Sequence, residues 1–234
     1  MKSFCAILLF LLSFSVFSSQ SFKESLIHEL QSTHTKPLTN YAEARRYLFG
    51  DLYLKDNNTL YDVYCHHVFT SKDGVGSNKI PNPEVVNCEH TWPQSKFTNE
   101  FPKDIQKNDL HHLFPVYSKG NSARSNYPFG TVSNNQMEIS NCESSQKGTL
   151  HETNSLGWEP PNEHKGNVAR AMFYFSLRYH MKIDDKQEDT FREWNKLDPV
   201  DDAEKAINLR IKGIQGNSNT FVEHPEYIDQ VEDF

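Results

Sequence analysis

An α+β fold is predicted, mainly helical and rich in loops, laid out as a single domain over residues 21–234. Segments with a helical apolar period lie towards both ends of the chain, while short alternating or apolar runs cluster in between. Hydrophobic residues make up only 36% and the mean hydropathy is −0.70, yet aromatic residues reach 12%. A disordered chain rarely holds so many aromatics. Each can bury a large area, so the composition fits a folded domain with much loop.

The chain opens with Met1-Lys2, an apolar run from Phe4 to Leu12, and small residues at Ser18-Ser19. A basic start, a short apolar core and a small-residue end are the marks of a secretory signal peptide. Residues 1–20 are therefore expected to be removed and the protein to be secreted or periplasmic. The apolar run is too short for a membrane span, and nothing later in the chain is long and apolar enough.

Ser21 to Gln31 is predicted as a helix, with Phe22, Leu26, Ile27 and Leu30 on one face. Asn40 is placed to cap a second helix over Tyr41 to Phe49, with Gly50 as its C-cap. Tyr61 to Cys65 alternates and reads as a strand. The glycine-rich stretch Gly74 to Asn78 lacks the flanking strand and helix of a phosphate loop. Val85 to Glu89 and Leu113 to Val116 read as two strands. Pro115 confines the second to a short or edge position. Ser118 to Ser125 is the next helix start. Gln136 to Thr149 shows no period, and Gly157 to Pro161 reads as a loop. Gly166 to Met181 is a strong helix with Val168, Ala171, Met172, Phe175 and Tyr179 inward. Thr190 to Leu197 and Asp201 to Ile211 follow as helices, separated by Pro199 and with Asp201 or Asp202 as a cap.

The chemistry concentrates in Asn87-Cys88-Glu89-His90-Thr91-Trp92-Pro93-Gln94-Ser95. Glu89 is a hard oxygen donor for Mg²⁺ or Ca²⁺, and His90 is the residue type suited to taking a proton near neutral pH. Adjacent residues on a strand point to opposite faces. The two can therefore share a site only at the strand's tip. A surface Glu beside a half-buried His is the ordinary reading of such a pair, and a cap or turn is the ordinary reading of Asn121. On a helix, however, Asn121 and Arg124 share a face.

Taken together, Cys88-Glu89-His90-Thr91-Trp92-Pro93, then Asp109-x-His111-x-Leu113-x-Pro115, then Asn121-x-x-Arg124-Ser125-Asn126 resemble the bacterial endonuclease I family. These are secreted or periplasmic non-specific nucleases of the ββα-metal (His-Me finger) type. Glu159-Pro160-Pro161, Gly166 to Arg170, Trp194-Asn195-Lys196 and Ile214 to Asn217 continue the likeness in the same order. The resemblance implies a ββα-metal core within the helical domain and hydrolysis of phosphodiesters in DNA, with RNA as a further substrate. It implies Glu89 and Asn121 as ligands of one divalent metal, Mg²⁺ first with Ca²⁺ or Mn²⁺ as alternatives, and His90 as general base. Arg124 is the candidate for phosphate binding. Some members carry an Arg between the Glu-His pair and the second strand, where it neutralises the scissile phosphate. This chain has only Lys96, Lys103 and Lys107 there, and a lysine lacks the planar fork of arginine.

The formal charge of −7 offers no global basic footprint for nucleic acid. Contacts to backbone phosphates by Lys96, Lys103, Lys107 and Arg124 are expected instead, with little sequence preference and falling affinity as salt rises. A monomer is expected. Cys65 and Cys88 both end apolar runs in an exported chain, so a Cys65–Cys88 disulfide is expected, stabilising by about 3 kcal/mol, with Cys142 left over. Two other readings stay open. One is a secreted nucleic-acid-binding protein without catalysis. The other is a zinc enzyme built on His66-His67 and His111-His112, although no His-x-x-x-His falls on a predicted helix.

Overall fold

The computed structural model describes residues 20–234. The signal segment expected over residues 1–20 lies outside them except for Gln20, which is already helical. The helix α1 runs over 20–33. The helix α2, Tyr41–Tyr47, starts where Asn40 Oδ1 accepts the Ala42 and Glu43 amides, so the expected N-cap is in place. Gly50 is not its C-cap. The helix runs on into a π-turn, Leu48–Leu52. There Gly50 packs so closely on residues 78–79 that a Cβ would come within 2.7 Å of their amides.

Among the described residues the strands form small antiparallel sheets. The pair β1 (Leu60–Tyr61) and β2 (Val68–Phe69) is shorter than the strand expected over Tyr61 to Cys65. The chain turns because the Asp62 carboxylate accepts the amides of Tyr64 and Cys65 at 2.9 and 3.0 Å, which offers the backbone an alternative to a ladder. The hairpin of β3 (Val86–His90) and β4 (Leu113–Tyr117) matches the two expected strands, and Pro115 lies opposite Cys88 in a sheet where both strands are edges. A short helix, α3 (Lys103–Asn108), lies between them, and α4 (Ser118–Arg124) follows β4 with no connecting loop. The third sheet joins β5 (Val132–Asn135), β6 (Gln146–Leu150) and β7 (Leu156–Glu159). Strand β7 occupies the stretch expected as loop, and buries Trp158.

The remaining helices are α5 (Asn162–Tyr179), α6 (Asp185–Leu197), α7 (Asp202–Gln215) and α8 (Thr220–Glu223). Asp184 and Asp201 cap α6 and α7 through side-chain bonds to backbone amides. Helix α5 starts four residues earlier than its apolar period suggests and is buried nearly all round. Even Arg170 is buried there, held by Glu204, Asn195 and the Asp198 carbonyl.

Two apolar clusters flank the β3–β4 hairpin. One gathers Trp92, Val116 and Trp158 around the aromatics of α5. The other packs Ala44, Leu48 and Phe49 of α2 and its π-turn against Val86, Cys88 and Leu113. A one-residue slip in a hairpin covered from both sides would turn every side chain into the wrong cluster, and this fixes the residues at its tip.

The expected Cys65–Cys88 bond is not formed. Cys65 pairs with Cys142, and Cys88 is a buried free thiol. Cys88 points into the α2 side of the hairpin, whereas the turn at Asp62 directs Cys65 towards the loop before β6 and the start of α4. Among the described residues no helix is long and apolar enough to cross a membrane.

Candidate active site

Glu89 and His90 are the last two residues of β3. Beyond them the strand is pinned by the final residue of α4: Arg124 donates to the His90 carbonyl at 3.3 Å and to the Thr91 carbonyl at 2.7 Å. One turn back on α4, Asn121 Nδ2 donates to the Cys88 carbonyl at 3.3 Å. Helix and strand tip are thus laced together by side chains at the helical spacing of three. Glu89, His90, Asn121 and Arg124 line a single open cleft of about 390 Å³. Tyr41 and Gln94 also border it. A separate cavity of about 220 Å³ lies among Tyr53, Phe114, His164, Glu204 and Ile211. It contains none of these four residues, so the acid–imidazole chemistry belongs to the first cleft.

Glu89 is almost fully buried. Its Oε1 accepts the Tyr64 hydroxyl at 2.9 Å and faces the Arg124 guanidinium at 3.3 Å. Burial pushes the carboxyl pKa up, while Arg124 and Tyr64 pull it down, leaving it above the usual value. His90 Nε2 donates to the Lys107 carbonyl at 3.0 Å, which fixes the tautomer and leaves Nδ1 as the acceptor. Gln94, which is exposed, offers its amide to that Nδ1 at 3.3 Å. Burial depresses the imidazole pKa to about 4, more than its carbonyl partners raise it, so the ring is a neutral base across the neutral range.

The donor set fits a hard divalent cation. Such an ion takes oxygen ligands and keeps water on its remaining positions. Glu89 Oε1 is taken up by Tyr64 and Arg124, and among the described residues no donor reaches Oε2. Asn121 spends its amide nitrogen on Cys88, which leaves Oδ1 to face elsewhere. A zinc site would need a denser set, and the described residues hold no group of three or more His, Cys, Asp or Glu side chains placed to hold a metal ion. The His pairs diverge. His66 meets Glu163, and His67 meets the Asn141 carbonyl. His111 donates to the Asn217 carbonyl and His112 to that of Gln106.

The basic residues are placed unequally. Arg124 is buried, and beyond the strand carbonyls it donates to Ser125 O and stacks on Phe129. Its Nε has no acceptor among the described residues. Lys96 is exposed beside this guanidinium, and burial of its stem together with the Arg124 charge lowers its pKa. Lys107 lies with its ammonium 4.2 Å over the Tyr41 ring at the cleft's edge. Lys103 is engaged by the Phe97 carbonyl. Tyr64 and Tyr41 are site residues that sequence reasoning missed, whereas Gln94 falls within the central stretch and only its contact with His90 was not foreseen. Tyr64 is 25 residues from Glu89, and no local pattern announces their contact.

A family model, Endonuclease I, matches residues 18–226. The chain is 34% identical over 226 residues to an extracellular ribonuclease of Bacillus amyloliquefaciens, covering 89% of this chain and 73% of that protein. It is 34% identical over 166 residues to the extracellular ribonuclease of Bacillus subtilis (strain 168), covering 62% of this chain and 53% of that protein. It is 30% identical over 125 residues to a periplasmic deoxyribonuclease of Aeromonas hydrophila, covering 53% and 50%. The chain thus spans about half the length of two of these relatives.

Proposed function

The chain belongs to the Endonuclease I family, and on that premise we propose that it is a secreted, metal-dependent endonuclease that hydrolyses phosphodiester bonds of DNA and also of RNA. The single observation that carries this reading is the cleft at the tip of β3. There an acceptor nitrogen on His90, the free oxygen of Glu89 and the Asn121 amide share one space. In this reading β3, β4 and α4 are the ββα-metal core, within one domain over residues 21–234. Relatives described as extracellular or periplasmic nucleases support both the export and the activity.

His90 Nδ1 takes the proton of the attacking water, and its Nε2 bond to the Lys107 carbonyl steadies the imidazolium that forms. The Gln94 amide lies on Nδ1 and gives way to that water. Glu89 and Asn121 hold one divalent cation, Mg²⁺ first, with Mn²⁺ or Ca²⁺ as alternatives. When bound it supplies Lewis-acid stabilisation of the phosphate and the leaving 3′ oxygen. Arg124 adds its charge from the floor of the cleft. Lys96 and Lys107 meet the backbone phosphates at the rim, with Lys103 further along the same segment. Recognition through phosphates carries no base information, so cleavage is non-specific, by a monomer.

A digestion panel tests this. Supercoiled plasmid, single-stranded DNA and RNA are incubated with the full chain in Mg²⁺, Mn²⁺, Ca²⁺ or EDTA. Cleavage with Mg²⁺ or Mn²⁺ and none with EDTA is expected. Binding without cleavage under every condition would leave the non-catalytic binding protein as the answer.

A further inference from the structure

The Glu89 carboxylate does not find its orientation within its own hairpin. The hydroxyl that fixes it comes from Tyr64, a fully buried residue of the turn after β1. That turn is held from three directions. The Asp62 carboxylate accepts the Tyr64 and Cys65 amides. The Tyr64 carbonyl accepts two hydroxyls, Ser144 and Ser145, both at 2.8 Å. Next to them, Cys65 is bonded to Cys142. The phenol ring packs against Trp158 at 5.2 Å and His164 at 5.9 Å between centroids. The same clasp reaches the other side of the cleft, because Cys65 Sγ abuts Gly120, where a Cβ would stand only 2.9 Å away. Gly120 immediately precedes Asn121.

We infer that Tyr64 is a positioning residue for Glu89: with Arg124 it occupies Oε1 and turns Oε2 towards a divalent cation, and the Cys65–Cys142 clasp with Ser144 and Ser145 holds the phenol in place. The inference rests on the reading of Glu89 as a metal ligand. The physical reason is orientation. A carboxylate alone at a strand tip can rotate about its last bond, and a cation held by few protein groups gains most from having that freedom removed beforehand. Partners of metal ligands typically contribute 10–100-fold in metal affinity or activity.

The test uses the full chain and Mn²⁺ as probe, with titration calorimetry and Mn²⁺ electron paramagnetic resonance as readouts independent of cleavage. Tyr64→Phe keeps the ring and removes the hydroxyl. It is expected to weaken Mn²⁺ binding about 10-fold or more, to keep most of the metal-free melting temperature, and to regain cleavage as metal is raised. Ser144→Ala with Ser145→Ala, which leaves the Tyr64 side chain intact, is expected to shift affinity the same way by less. Tyr174→Phe is the comparison, since Tyr174 is an equally buried tyrosine bonded to Asp109 away from the cleft. It is expected to lower the melting temperature without changing Mn²⁺ affinity. Unchanged Mn²⁺ affinity in Tyr64→Phe, with Glu89→Gln weakened, overturns the role of Tyr64 alone. Unchanged affinity in both variants overturns the assignment of Glu89 as ligand and this inference with it.

Discussion

Arg124 and Glu89 form an ion pair at 3.3 Å with both side chains only 2% exposed. The guanidinium also donates to the carbonyls of His90, Thr91 and Ser125. One side chain therefore neutralises the buried acid and closes the end of the strand that carries it. Removing one partner of a buried pair strands the other charge. Arg124→Ala is expected to cost about 3–5 kcal/mol, the range for breaking buried ion pairs. Arg124→Lys should recover only part, because a lysine cannot reach the carbonyls with a planar fork. Urea unfolding of the three proteins measures this, and an unchanged midpoint in Arg124→Ala would refute it.

His90→Ala is expected to lower cleavage by about 10²–10⁴-fold, the usual contribution of a general base, with DNA binding retained because binding rests on cationic contacts to phosphates. Added metal should not restore it. The depressed imidazole pKa, about 4, places the acid limb of the pH–rate profile of the free enzyme well below the usual histidine range. A limb near pH 6.5 would show that the ring is solvated in the free enzyme.

Asn121→Ala and Glu89→Gln should each raise the metal concentration needed for half-maximal cleavage. The Asn121 change is expected to be the milder, since it removes a neutral donor and the other removes a charge. Identical metal curves for wild type and both variants would exclude the pair as ligands.

His90, His112 and His164 are all buried, and burial is the leading cause of their depressed pKa values, about 4, 3 and 3. A folded-state pKa below the unfolded value means that the unfolded chain binds the extra protons first. The stability these groups contribute is complete above about pH 6.5 and is lost as pH falls towards 3–4. Raised carboxyl pKa values at Asp62, Glu89 and Glu204 work in the opposite sense. Their contribution fades as pH rises through the folded values. Chemical denaturation at pH 7.5 and 5 should show lower stability at pH 5. Equal stability would mean that these imidazoles reach solvent.

Peptide mapping under non-reducing conditions should recover Cys65 linked to Cys142 and Cys88 unmodified. Burial, the leading cause, pushes the Cys88 thiol up to about 12, so alkylating reagents should reach it only on unfolding. The loop closed between Cys65 and Cys142 spans 77 residues, which on the chain-entropy account corresponds to about 4–5 kcal/mol. Reduction should therefore lower the unfolding midpoint markedly, and a reduced protein as stable as the oxidised one would contradict the account.

The sequence by itself determined what depends on near neighbours along the chain. The strand expected to end at Glu89, one residue short of where it does, the strand starting at Leu113, the helix from Ser118, and the caps at Asn40 and at Asp201 or Asp202 all follow from local spacing and hydrogen-bonding chemistry. The order of the motifs around Glu89, His90 and Asn121 was enough to point to the family. Only the tertiary structure decided the pairings that span long stretches of chain. It chose Cys142 over Cys88 for Cys65, because Cys65 and Cys142 share the apolar cluster on one side of the hairpin while Cys88 packs in the cluster on the other. It buried Arg170 inside α5 by supplying Glu204 from another helix. It also brought Tyr64 under Glu89 and spent most of the Arg124 donors on backbone carbonyls. These outcomes rest on burial and partner geometry, which are properties of the assembled core, and no period or dipeptide in the sequence encodes them.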